Sequence, residues 1–358
     1  MSLADPAPRA LRLDLARDAG LDLPSEGAIA LFHPGTAEVP HDLPRDRLRI
    51  VTPHAPEFTA LSAQGYSCAI RPAGRYAATL VCLPRAKDEA RDLIAKAARL
   101  TDGPVIVDGQ RHDGIDAMLR ALRERVTLSE VIAKGHGKIA WFVGGAEALG
   151  DWIAAPMSVA APGKTAFSTI AGLFSADGID PASALLAEAL PAGLKGVAAD
   201  LGAGWGYLSR SLLDKAPDLA ALHLIEADAR ALECARRNVT DPRAQFHWAD
   251  ATAPLKGLLL DVVIMNPPFH QGRAATPQLG AAFIAAAARM LKPTGQLWMV
   301  ANRHLPYEPA LAAAFKTHSE VAGTAGFKIL AAEGPVRASA RAGAPTRARP
   351  RRRTGHRA

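Results

Sequence analysis

The sequence predicts an α/β protein made of two tandem units, each a mostly parallel sheet with helices on both faces, the first of them degenerate. Three observations lead there. The chain has 358 residues, too many for one typical domain and comfortable for two. Its second half alternates apolar runs with stretches of helical spacing. Its first half repeats part of that pattern without the chemistry that the pattern carries in the second.

The second-half elements can be justified in order. "GVAADLG" (196–202) is an apolar run ending in an acid and a glycine, and "WGYLSRSLLDKA" (205–216) has helical spacing. "ALHLIEAD" (221–228) is a second strand, followed by helical "ARALECARRNV" (229–239). "AQFHWAD" (244–250) and "LLLDVVIMN" (258–266) are the third and fourth strands. Helical "QLGAAFIAAAARML" (278–291) leads to "GQLWMVAN" (295–302). Strands alternating with helices of this length imply a parallel sheet covered on both faces. "EVAGTAGFKILAAE" (320–333) places glycine between two apolar runs and reads as a hairpin.

In the first half, "ATLVCLPRAKDEARDLIAKAARLTDGPVIVDG" (78–109) follows the same plan as residues 261–302. Both run from an apolar strand through a Pro-containing turn and an Ala-rich helix to a glycine break and a second strand. In this register Leu83 stands where Asn266 stands. Units of this kind share composition, so the match alone does not separate chance from duplication. The junction is expected near "AAPMSVAAPGKTAFS" (154–168). The predicted division is 1–160, 161–333 and a disordered tail over 334–358.

The net charge of +7 suggests an anionic partner, but residues 337–358 hold eight arginines and no acid. Removing those eight charges leaves the rest of the chain at about −1, so the basicity belongs to the tail. Cys68, Cys82 and Cys234 lack metal-binding spacing and form no disulfide framework. No metal site is expected. The N-terminus shows no apolar signal region and no window is apolar enough to span a membrane, so a cytoplasmic protein is expected.

Four motifs carry chemistry. The first is "ADLGAGWGYLS", with Asp200, Gly202, Gly204 and Gly206 between a strand and a helix. Glycines let the backbone turn sharply and approach a ligand. The spacing G-x-G-x-G differs from the dinucleotide fingerprint G-x-G-x-x-G. The second is Glu226, 26 residues after Asp200 at the tip of the next strand. An acid there can accept from both hydroxyls of a ribose, with Asp228 as a weaker candidate. The third is Asp250, which could equally be a helix N-cap. Each acid closes a successive strand, and ligands of open α/β sheets bind at those carboxyl ends.

The fourth is "NPPF", Asn266, Pro267, Pro268 and Phe269, ending the fourth strand. Two prolines stiffen the chain and remove N–H donors, leaving a rigid turn biased toward acceptors. The Asn266 side-chain oxygen and the Pro267 carbonyl can together accept from one planar amine. Phe269 offers a face for stacking a flat base. In isolation the same residues make only a turn.

The glycine motif resembles motif I of class I S-adenosylmethionine-dependent methyltransferases. Together with "GLFSADGIDPASALLAEAL" (172–190), "NPPFH" and "VANRHLPYEPAL" (300–311), it makes the chain resemble the bacterial ribosomal RNA guanine-N2 methyltransferases. That resemblance is strongest over 165–333. It implies two Rossmann-like methyltransferase domains, the first inactive and supporting folding and rRNA engagement. It implies S-adenosyl-L-methionine as cofactor, held by Asp200, Gly202, Gly204, Gly206, Glu226 and Asp250, with the Ala251 N–H meeting the adenine ring. Asn266 to Phe269 would hold the guanine amine, Phe174 would cover the cofactor, and His270 would make a positioning hydrogen bond. The expected partner is ribosomal RNA or the small ribosomal subunit, and the expected state a monomer. The resemblance favours 16S rRNA. The rival readings are a 23S rRNA guanine-N2 methyltransferase, a protein-glutamine N5 methyltransferase, and a non-catalytic RNA-binding assembly protein.

Overall fold

The computed structural model describes residues 8–336 except 37–38, 41, 146, 162–163, 269, 272–273 and 276. Of the tail expected over 334–358, Gly334 and Pro335 belong to the last strand, and the residues from Arg337 onward lie outside the described residues.

The first half is built on β1 (Ile29–Phe32), β2 (Leu48–Val51), β3 (Ser67–Ala69), β4 (Ala78–Cys82), β5 (Pro104–Gln110), β6 (Ile132–Lys134) and β7 (Gly137–Val143), in the spatial order β3-β2-β1-β4-β5-β7-β6. Helices α1 (Pro8–Asp18), α2 (Ala55–Ala63), α3 (Lys87–Leu100) and α4 (Ile115–Arg123) cover it. Strands β1 to β5 pair in parallel; β7 and β6 are added antiparallel. Apolar clusters fill both faces, one around Phe32, Ile94 and Phe142, the other around Leu31, Ile50 and Leu80. Burial on both faces is why these strands read as continuous apolar runs.

A two-stranded hairpin follows, β8 (Met157–Ala161) against β9 (Lys164–Thr169). It occupies the stretch expected as the junction and spans the expected boundary at 160/161. Phe167 anchors it against Trp205 and Tyr207. Small residues and a Pro-Gly pair hid a hairpin that turns on one aromatic.

The second half opens with α5 (Pro181–Ala189). Its strands are β10 (Gly196–Leu201), β11 (Leu219–Glu226), β12 (Ala244–Trp248), β13 (Leu260–Met265), β16 (Leu291–Asn302), β17 (Phe315–Gly323) and β18 (Phe327–Pro335), in the order β12-β11-β10-β13-β16-β18-β17. Between them lie α6 (Tyr207–Lys215), α7 (Ala229–Asn238), the short pair β14 (His270–Gln271) and β15 (Ala274–Ala275), α8 (Pro277–Met290) and α9 (Glu308–Ala314). The strand order repeats that of the first sheet position for position, including the parallel core and the antiparallel hairpin at the edge. The strand expected at 295–302 starts earlier, at Leu291.

Two helix starts matter later. Asp180 caps α5 by accepting from the Ser183 N–H at 2.7 Å, with Pro181 in the first turn. Asp228 caps α7 by accepting from the Arg230 N–H at 2.8 Å.

Candidate active site

The sequence-predicted residues fall along one edge of the second sheet. Asp250 lies just past β12, Glu226 ends β11, the glycine turn follows β10, and Asn266 follows β13. Those four strands are consecutive neighbours. At about 4.8 Å per strand the row extends for roughly 15 Å, room for an extended nucleoside with an amino-acid arm.

Asp200 is completely buried. One carboxylate oxygen accepts from the Ser209 hydroxyl of α6 at 2.7 Å; the other has no partner among the described residues. Burial pushes this carboxyl up to about 7, against the opposing pull of the Ser209 bond. Beyond it the backbone turns through left-handed conformations at Gly202 (φ 76°), Gly204 (φ 55°) and Gly206 (φ 91°). The three glycines serve different ends. A Cβ on Gly204 would meet no protein atom, because it points into open space. A Cβ on Gly206 would come within 2.8 Å of Val239, because that residue packs on α7. Gly202 and Gly204 line one cavity with Phe174, Asp180, Ser183 and Asn266; Gly206 is not in that wall.

Glu226 is partly buried and grips the turn. One carboxylate oxygen accepts from the Gly204 N–H at 2.7 Å and the other from the Asp228 N–H at 2.8 Å. Burial raises its pKa; the two N–H donors oppose that rise. Asp228, the weaker ribose candidate, has both oxygens engaged by the Arg230 side chain. Asp250 accepts from the Thr252 N–H at 2.8 Å and the Thr252 hydroxyl at 2.6 Å, so it caps its own turn. Its neighbour Ala251 is buried.

Asn266 is the most informative residue. Its amide NH2 donates to Asp180 at 2.9 Å and to the Ser183 hydroxyl at 2.8 Å. A carboxylate accepts and does not donate, so Asp180 fixes which end of the amide faces it. The amide oxygen is left buried and without a partner among the described residues. Pro267 is buried and Pro268 exposed. Phe269 lies outside the described residues, as does the side chain of His270. Phe174, expected over the cofactor, stands at the cavity with 64% exposure, its carbonyl accepting from the Trp205 indole N–H at 2.9 Å.

Sequence reasoning missed Asp180 and Ser183 as site residues. "DPAS" is legible as a helix cap, but its second partner, Asn266, is 86 residues away. Nothing local signals that contact.

A parallel α/β sheet with a glycine turn after its first strand, acids after the next two and Asn-Pro-Pro after the fourth defines a class I methyltransferase. Residues 164–331 match the model of the methyltransferase small domain. A ribosomal RNA small subunit methyltransferase C from Shewanella loihica is 28% identical over 271 residues, covering 71% of this chain and 76% of that protein. A ribosomal RNA large subunit methyltransferase G from Shewanella amazonensis is 36% identical over 171 residues, 46% of this chain and 44% of that protein. Among solved structures, a T. thermophilus 16S rRNA N2 methyltransferase in complex with AdoMet and guanosine matches with a TM-score of 0.74 and 25% identity, covering 92% of this chain and 94% of that one. The chain is similar through both halves to bacterial ribosomal RNA methyltransferases, and its second half matches the methyltransferase small domain.

Proposed function

We propose that this chain transfers a methyl group from S-adenosylmethionine to the exocyclic N2 amine of a guanosine in ribosomal RNA of the small subunit. The observation that carries this reading is the buried, unpartnered Asn266 oxygen, in one cavity with Gly202 and Gly204. An orphaned buried acceptor costs free energy unless a donor meets it, and an aromatic amine is such a donor.

The residues present fit the cofactor. The Gly204 position is open toward the cavity, the Glu226 oxygens stand at the tip of β11, and the unpaired Asp200 oxygen lies under the turn. When bound, S-adenosylmethionine supplies an electrophilic methyl on a sulfonium. Gly202 and Gly204 would give the backbone its close approach, Glu226 would accept from the ribose hydroxyls, and the Asp200 carboxylate would favour the ammonium of the amino-acid end. The turn that starts at Asp250, with Ala251, would hold the adenine.

On the acceptor side, Asn266 and the Pro267 carbonyl accept the two amine hydrogens. That leaves electron density on the nitrogen lone pair and aims it along the transfer axis. Asp180 and Ser183 keep the amide from turning its NH2 end inward, where it would repel the amine. Most of the rate arises from alignment. The degenerate first half, 1–160, supports the catalytic half, 161–333, and the protein acts as a cytoplasmic monomer. Among the described residues no helix is long and apolar enough to cross a membrane.

A second target has one specific support: the large-subunit methyltransferase is 36% identical over its 171 matched residues, against 28% over 271 for the small-subunit one. Small-subunit rRNA is favoured because that likeness runs through both halves. Radiolabelled methyl transfer to small and large subunits lacking the modification separates the two. Asn266→Ala is expected to lower the rate on the order of 10²-fold with cofactor affinity unchanged. An unaltered rate would remove Asn266 from the mechanism.

A further inference from the structure

The catalytic site borrows part of its frame from the inactive half. The loop after Glu226 is held by the turn after β2. The Ala55 N–H donates to the Ala227 carbonyl at 2.8 Å, and the Ala229 N–H donates to the Pro53 carbonyl at 2.9 Å. The Trp248 indole N–H reaches both the Pro53 and Ala227 carbonyls at 2.8 Å. Beside this clasp, Arg230 donates to Asp228 in its own helix cap and to Glu89 of α3 at 2.5 Å. Glu89 is 7% exposed, and Gly172 lies so close that a Cβ there would fall 2.5 Å from its carboxylate. The path ends on the ribose acid, because the Asp228 N–H donates to Glu226.

We propose that Glu89 and Arg230 are positioning residues for cofactor binding. The Glu89–Arg230–Asp228 triad fixes the 227–229 loop and so presents Glu226 to the ribose hydroxyls. A carboxylate of the inactive half thereby sets the geometry of the active one. A buried ion pair contributes little net stability by itself, but losing one partner strands the other charge. With Glu89 neutral, Arg230 drags Asp228 toward itself, and the Asp228 N–H leaves Glu226.

This rests on the cofactor reading proposed above, and the test separates the two. The full chain is titrated calorimetrically with S-adenosylhomocysteine and with its 2′,3′-dideoxyribose analogue. Failure of the wild-type chain to bind either would sink the cofactor reading itself. Given wild-type binding, Glu89→Gln and Arg230→Met should weaken S-adenosylhomocysteine about tenfold, Arg230→Lys less, and the dideoxy analogue by less than twofold. Equal losses for both ligands, or none, would overturn the positioning role. If Arg230→Met does not fold, the isosteric Glu89→Gln decides alone.

Discussion

The two sheets share one strand order, yet only one carries chemistry, and the register shows where they parted. In the second sheet Leu201 pairs with Met265, the residue before Asn266; in the first, Phe32 pairs with Val81, the residue before Cys82. The packing fixes that alignment: Phe32 and Val81 face the cluster under α3, as Leu201 and Met265 face the one under α8. Leu31 therefore stands in the place of Asp200, and Cys82 in that of Asn266. The mutual bonds from the Ala55 N–H to Ala227 and from the Ala229 N–H to Pro53 match Pro53 with Ala227, which puts Thr52 in the place of Glu226. Thr52 repeats part of the pattern: its hydroxyl accepts from the His54 N–H as Glu226 accepts from the Asp228 N–H. Leu31 and Cys82 are buried in the core of the first half. Two of the three strand-end positions are thus packing there, and the third is a neutral hydroxyl.

The largest effect expected from breaking this contrast is at the glycine turn. Gly204→Val fills the space that a ligand needs and puts a β-branched side chain at φ 55°. Binding of S-adenosylhomocysteine should fall below detection by calorimetry while the fold survives, since no protein atom blocks the new Cβ. Retained micromolar binding would show that the turn is not the cofactor loop.

A smaller effect separates the halves by pH. Asp200 titrates near 7 in the folded chain because burial penalises its charge. The folded chain then keeps a proton that the unfolded chain releases. Between about pH 4 and 7 this group makes stability fall as pH rises, by an amount on the order of 4 kcal/mol. His33, which follows Phe32, has the opposite sign. Burial lowers it to about 4, so the unfolded chain takes the proton first and stability falls as pH drops from 6.5 to 4. Asp200→Asn should abolish the first slope and leave the second. Urea melts of ligand-free chain from pH 5 to 8 measure both, and an unchanged slope would place the Asp200 proton elsewhere.

Much of this was legible in the sequence, for physical reasons. The parallel core was readable because strands buried on both faces are continuous apolar runs. The edge of the site was readable because each of its groups ends a strand. The alignment of "LVCLP" with "VIMNP" is one residue out: strand register and packing put Cys82 opposite Asn266 and turn Leu83 to the other face of the sheet. What was not readable depends on distant contacts. The grip of Asp180 on Asn266 crosses 86 residues, and the Glu89–Arg230 pair crosses 141. The stretch between the two sheets forms the β8–β9 hairpin, which its small, Pro/Gly-marked composition hides and only Phe167 betrays.

The smallest expected effect on activity comes from grafting the lost residue back. Cys82→Asn restores the amide at the first half's strand end, but the positions of the two acids are held by Leu31 and Thr52. The graft cannot hold a cofactor, and Cys82 is 2% exposed. In an Asn266→Ala background it should recover no methyl transfer. It should also lower stability by about 1–3 kcal/mol, as when an amide enters a buried apolar position. Methyl transfer to ribosomal subunits and a thermal melt read the two consequences separately. Any recovered transfer would mean that the first half still binds cofactor and that its silence rests on the turn alone. Stability loss without recovery would place the division of labour in the strand-end acids, the residues that hold the cofactor and not those that hold the base.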